Sequence, residues 1–113
     1  MKTKFNHTGH KSLWSWLADH PGKSKSNYFK DRGIERNKIP YLYCYACDYD
    51  YDVTHDPMSC GCCPLCARED CQRCLNGLYE AWDRATARAL HKECSQLARR
   101  IAELPVKPGV ECI

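Results

Sequence analysis

Long apolar runs are missing from this sequence. None of its 113 residues lies in a stretch that approaches the roughly 18 apolar residues of a membrane-spanning helix. The start, Met1 to His7, has neither an apolar run nor a small-residue cleavage site, so we expect no secretory signal. Such a chain is expected in a reducing cytoplasm, where clustered cysteines bind metals more often than they form disulfides.

Catalytic motifs are also lacking. The sequence contains no pattern of a Ser-His-Asp or Cys-His site and no glycine-rich phosphate loop. A zinc ion that is closed by four thiolates offers no open position for a substrate. We therefore expect a non-catalytic protein without a small-molecule substrate.

Cysteine, in contrast, is abundant. The chain has ten cysteines, and eight of them lie in one stretch: Cys44, Cys47, Cys60, Cys62, Cys63, Cys66, Cys71 and Cys74. Two residues between thiols allow a tight turn to direct both sulfurs at one ion. The spacing predicts one or two structural zinc ions, which would stabilise a core that is marginal at this size. A secreted disulfide scaffold is the rival interpretation of the even count.

Several ligand sets fit the spacing. The first site is Cys44, Cys47, Cys60 and Cys63, which leaves a possible second site of Cys62, Cys66, Cys71 and Cys74. The second assignment joins Cys44 and Cys47 to Cys63 and Cys66, and the other four form the second site. His55 is a further candidate ligand. An iron–sulfur cluster on Cys60, Cys63 and Cys66 is the third alternative, although the terminal Cys-Pro of such clusters is missing.

The spacing of the apolar residues and of the cysteines predicts a single domain over residues 1–113. This domain is expected to be small and irregular, of the α+β class, and stabilised by zinc. Its expected parts are a loose arm over 1–7, a helix over 8–19 capped by Thr8, a cysteine-rich metal-binding core with a short hairpin over 41–75, a long helix over 76–104 and a frayed tail over 105–113. Trp14 and Trp82 are expected to join the first and last helices in one core. Cys94 lies on the apolar stripe of the last helix, and Cys112 is expected to be a free thiol.

Charge is unevenly distributed. Residues 1–40 contain nine Lys or Arg and three Asp or Glu, whereas residues 41–75 contain two and six. The basic stretch 23–38 includes Tyr28 and Phe29, and together with the arginines of the last helix it suggests nucleic-acid binding as the alternative function. The other interpretation is a solvated loop in which both aromatic side chains turn inward.

The acidic centre suggests a protein partner. Asp48, Tyr49, Asp50, Tyr51 and Asp52 alternate with a period of two, which in a strand places carboxylates on one face and phenols on the other. The flanking ligands Cys47 and Cys60 would fix both ends of this loop. Loops on a rigid scaffold often bind partners, and tyrosine beside carboxylates suits a basic protein surface. We predict that these five residues contact a partner.

A family resemblance is present along most of the chain. It rests on His10-x-x-Leu13-Trp14-x-Trp16-Leu17-Ala18, Cys44-x-Ala46-Cys47, Cys60-x-x-Cys63-Pro64-Leu65, Gly77-Leu78-Tyr79-x-x-Trp82 and Leu97-Ala98-x-x-Ile101-Ala102-x-Leu104-Pro105. In these segments the chain resembles a family of small, uncharacterised, cysteine-rich proteins of tailed bacteriophages.

The resemblance implies that Cys44, Cys47, Cys60 and Cys63 form the common metal site. It also implies a zinc-binding protein in the cytoplasm of an infected bacterium that binds and inhibits a host or defence-system protein. Such a protein would be an anti-defence, anti-CRISPR-like or host-takeover factor. Cys66-Ala67 departs from the acidic residue and tryptophan that often follow Cys-Pro-Leu in these relatives.

Overall fold

The computed structural model describes residues 4–40, 43–54, 64–65, 77–106 and 109–113, except for the side chains of Asp50 and Thr54. In this part of the chain there are five α-helices and a 3-10 turn: α1 His7–Asp19, α2 Lys25–Asp31, the turn Arg36–Lys38, α3 Tyr45–Thr54, α4 Leu78–Ala87 and α5 His91–Ala102. No described helix is long and apolar enough to cross a membrane.

The expected α+β fold with a hairpin is wrong. Within the described ranges the only β-type pairing is an isolated bridge between Phe5 and Cys112, and residues 45–54 are helical. A pattern that repeats every two residues also repeats every four, so the alternating Asp and Tyr residues satisfy a helix as well as a strand. The domain is helical because its apolar faces pack helix against helix.

Helix α1 follows from its sequence pattern. Asn6 caps it by accepting the Gly9 N–H on Oδ1 at 2.9 Å, two residues before the predicted cap. The buried face recurs at steps of three and four: His10, Leu13, Trp14, Leu17 and Ala18. This face packs on α5, and the Ser95 hydroxyl donates to the Ala18 carbonyl oxygen at 2.7 Å.

Helix α2 lies where the sequence predicts a basic loop. Ser24 begins it with a reciprocal cap: its Oγ accepts the Asn27 N–H at 3.3 Å, and its own N–H donates to Asn27 Oδ1 at 2.9 Å. Tyr28 and Phe29 are buried in the core, which confirms the inward interpretation of this segment.

The long last helix of the prediction is two helices. Helix α4 ends at Ala87, and Ala89 has a left-handed φ of 56°. The N–H of Leu90 donates to Ala85 O at 3.0 Å, and the N–H of Ala89 donates to Thr86 O at 3.1 Å. These two bonds define a Schellman C-terminal motif, in which glycine is the usual left-handed residue. The chain then reverses so that α5 packs on both α4 and α1.

The core joins the first and last helices through aromatic side chains. The rings of Trp14 and Trp82 meet edge to face with centroids 5.0 Å apart, and both side chains are buried, which confirms their expected pairing. Cys94 is fully buried in the same core, as its place on the apolar stripe predicts. Trp16 is only half-buried and stacks on His20 at 4.2 Å.

The two ends of the chain pair with each other. The N–H of Phe5 donates to Glu111 O at 2.8 Å, and the N–H of Ile113 donates to Phe5 O at 3.0 Å. Phe5 is a fully buried core residue, so the expectation of a loose arm is wrong at this position. Cys112 is an exposed, free thiol, as expected, but its segment is paired rather than frayed.

Candidate metal and partner-binding site at helix α3

Cys44 lies immediately before the first residue of α3 and caps the helix with its sulfur. Its carbonyl oxygen accepts the Asp48 N–H at 2.9 Å, and its Sγ accepts the Cys47 N–H at 3.3 Å. Cys44 and Cys47 therefore lie on one turn at the N-terminal end of the helix. The structure brings together one of the cysteine pairs that the sequence predicts as a half-site.

The Cys44 thiol is 2 % exposed. A side-chain hydrogen bond with Cys47 and burial both raise the pKa of Cys44, whereas the charge of Lys25 lowers it. The Lys25 ammonium lies 4.4 Å above the ring centroid of Tyr79. A raised pKa keeps a buried thiol protonated until a cation displaces the proton, so metal binding at this pair would release protons.

The remaining predicted ligands are outside the described residues. These are Cys60, Cys62, Cys63, Cys66, Cys71 and Cys74, together with His55. Pro64 and Leu65, between Cys63 and Cys66, are described and fully buried. Among described residues, no group of three or more His, Cys, Asp or Glu side chains is placed to hold a metal ion. The ligand pairings and the choice between zinc and iron–sulfur therefore stay predictions.

One face of α3 lines a groove of about 630 Å³. Four side chains of the helix line it, at positions i, i+3, i+4 and i+7: Tyr45, Asp48, Tyr49 and Asp52. Tyr49 is half-buried and meets Phe5 edge-on, with centroids 6.1 Å apart. Two carboxylates one turn apart and two phenols are thus presented together on a fixed helix.

The other walls of the groove come from three different segments. They contribute Lys4, Asn6, Asn37, Lys38, Ile39, Pro40 and Ile113. Lys4 and Lys38 give these walls positive charge, whereas the α3 wall is negative. The groove is lined by both polar and apolar side chains, which is typical of a binding site for part of another molecule.

Close approach of α1 and α3 depends on Gly9. A Cβ atom at this position would lie 2.8 Å from Cζ of Tyr45 and 2.7 Å from Nδ2 of Asn6. Both distances are shorter than real Cβ contacts, so an alanine would force Tyr45 or the cap to move. Glycine at this position therefore helps to place the Tyr45 wall of the groove.

Three of the five predicted partner-binding residues are placed in the groove: Asp48, Tyr49 and Asp52. Tyr51 lies outside it and is 38 % exposed. The side chain of Asp50 is outside the described structure. The predicted separation of carboxylates and phenols onto opposite faces is wrong, because α3 places both kinds of side chain on one face.

Sequence reasoning missed Tyr45, Lys4, Lys38 and Ile113 as groove residues. Tyr45 has a sequence signal, since it lies four residues before Tyr49 and three before Asp48. The other three come from distant segments, and only the pairing of the two chain ends places Ile113 near Lys4. No protein-family model, curated protein or solved structure matches this chain.

Proposed function

We propose that this chain is a non-catalytic zinc-binding protein that binds a segment of another protein in the groove beside α3. The observation that supports this function best is the alignment of Tyr45, Asp48, Tyr49 and Asp52 along one groove, on the helix that Cys44 caps. Metal ligation at the first turn and partner binding along one face would thus use the same helix.

The donor chemistry of Cys44 and Cys47 fits zinc. Both are sulfur ligands separated by two residues, and the sulfur of Cys44 already accepts a backbone N–H, which stabilises a thiolate. Two further cysteines from 60–74 would complete the shell. A zinc ion with four cysteine ligands has no open position for catalysis and acts as a structural cross-link. Its effect would be to hold the start of α3 in place.

The partner segment is defined by the charges of the groove. Asp48 and Asp52 favour a guanidinium or ammonium group, and the neighbouring tyrosine rings favour the flat guanidinium of arginine. Lys4 and Lys38 oppose a uniformly basic segment. We therefore propose a partner strand or helix with one arginine flanked by acidic or polar residues.

The phage resemblance supports a host or defence-system protein as the target, which this chain would inhibit by occupying its surface. The nucleic-acid alternative is less favoured, because Tyr28 is 4 % exposed and Phe29 is 1 % exposed. Neither aromatic ring is displayed for stacking on a base. A carboxylate pair in the groove would also repel a phosphate backbone.

The test starts from the immobilised full-length chain and a bacterial lysate, with and without nuclease treatment. A captured protein is identified by mass spectrometry, and its Kd is then measured for the parent and for the double variant Asp48→Asn, Asp52→Asn. We expect the variant to bind at least about tenfold more weakly, on the order of 1.4 kcal/mol.

A charge-matched control is the double variant Asp83→Asn, Glu93→Gln, because both side chains are exposed on α4 and α5 and lie outside the groove. It should bind like the parent. If the two double variants bind equally well, the partner does not use the groove. If nuclease treatment abolishes capture, the interaction runs through nucleic acid and the proposal is wrong.

A further inference from the structure

A second cleft, of about 370 Å³, lies between α1 and α5. His7, Lys11 and Ser15 line one wall and are spaced by four residues, so they form a single row along α1. Arg99 of α5 and Glu103, the residue directly after α5, line the other wall. The cleft shares no lining residue with the groove beside α3.

Two of the residues that line this cleft are cationic, one on each helix. Lys11 places an ammonium on the α1 wall, and Arg99 places a guanidinium on the α5 wall. Arg99 also contacts Asp19 at 3.4 Å, but both side chains are more than half exposed, and exposed ion pairs are weak. The guanidinium therefore stays available to a ligand that enters the cleft.

Hydrogen-bonding groups accompany the two cations. Ser15 contributes a hydroxyl group to the cleft. His7 lines one end, and its buried Nε2 has no hydrogen-bond partner in the described part of the chain.

Glu103 determines which anion fits. A carboxylate repels a fully ionised anion, but it accepts a hydrogen bond from an anion that keeps a proton. Phosphate and its monoesters keep one proton in weak acid, below a second pKa of about 6. Sulfate has no such proton. We propose that the cleft between α1 and α5 binds free phosphate or a phosphate monoester, with Lys11 and Arg99 as the cationic walls and Glu103 as the acceptor.

The binding test titrates the full-length protein with inorganic phosphate, a nucleoside monophosphate or sulfate, at about pH 5.5, which lies below the second pKa of about 6, so that both phosphate compounds keep the proton. Ionic strength is matched, and amide and imidazole NMR shifts report the site. We expect saturable shifts at His7, Ser15 and Glu103 with at least one phosphate compound. Sulfate should bind at least about tenfold more weakly. A nucleoside monophosphate that binds better than phosphate identifies an ester as the ligand, and the reverse order identifies the free ion.

Three variants test the roles of the walls. Lys11→Gln and Arg99→Gln should each weaken phosphate binding by about tenfold, whereas Glu103→Gln should remove the preference for phosphate over sulfate. Arg100→Gln is the matched control, since Arg100 is exposed on α5 but does not line the cleft. Equal binding of sulfate and phosphate by the parent would overturn the proposal. Equal losses in the Arg99 and Arg100 variants, or shifts scattered over the surface, would overturn it as well.

Discussion

His10 Nε2 donates a hydrogen bond to the carbonyl oxygen of Ile101 over 2.9 Å and so joins α1 to α5. The imidazole is 1 % exposed, and its Nδ1 has no partner among the described residues. A second proton on this ring would therefore bury a positive charge and leave the Nδ1–H without an acceptor among the described residues. Burial is the main cause that lowers the pKa of His10, to about 4, and the charges of His7 and Lys11 lower it further.

This pKa predicts a loss of stability in weak acid. His10 takes up its second proton near pH 6.5 in the unfolded chain but only near pH 4 in the folded chain. The stability that neutral His10 gives the fold is therefore fully present above pH 6.5 and is lost as the pH falls from 6.5 to 4. The difference corresponds to roughly 3 kcal/mol of unfolding free energy. Denaturant unfolding at a series of pH values measures it.

His10→Gln isolates the effect, because the glutamine amide can donate to Ile101 O but does not titrate. If the chain binds zinc as proposed, its loss in acid would affect the parent and the variant alike, so the difference between their pH profiles reports His10. We expect a flatter profile for the variant between pH 6.5 and pH 4. Parallel profiles would show that His10 does not resist protonation in the fold.

Trp82→Ala should lower the unfolding free energy by about 3–5 kcal/mol, because it removes a buried ring that packs edge to face on Trp14. Trp16→Ala is the size-matched control. Trp16 is only half-buried, so its replacement should cost clearly less. Chemical denaturation compares the two, and equal losses would contradict the assignment of Trp82 to the core.

Ala89→Gly should stabilise the chain by about 0.5–1 kcal/mol, because glycine adopts a positive φ without the strain that a Cβ imposes. Ala89 has a φ of 56° at the end of α4. Ala81→Gly, inside α4, is the matched control and should destabilise by a similar amount. Melting temperatures of the two variants should move in opposite directions, and a shift in the same direction would show that the turn after α4 is not strained.

The sequence was informative where apolar spacing is unambiguous. Leu13, Trp14 and Leu17 recur at helical steps, and α1 is found over His7–Asp19, where a helix over 8–19 was predicted. Trp14 and Trp82 were expected in one core and are paired there. Burying these large apolar side chains is so favourable that the hydrophobic effect places them in the core.

Other elements had no comparable signal. The break between α4 and α5 depends on a left-handed alanine, Ala89, where a glycine would have marked the end of a helix. For α3, a period of two is compatible with both a helix and a strand, and the cap by Cys44 is visible only in three dimensions. The groove also needs Lys4 and Ile113, whose proximity depends on pairing between the two chain ends.

Zinc content is the most direct test of the proposed function. Elemental analysis of the purified full-length chain should find one or two zinc ions per molecule and little iron. The double variant Cys44→Ser, Cys47→Ser should lose about one equivalent of zinc, and it should also lose helicity, since structural zinc contributes on the order of 10 kcal/mol to small domains. Cys112→Ser, which changes an exposed cysteine outside the predicted sites, should keep all of its zinc. A parent protein without zinc, a brown iron-containing sample, or full zinc in the double variant would contradict the account.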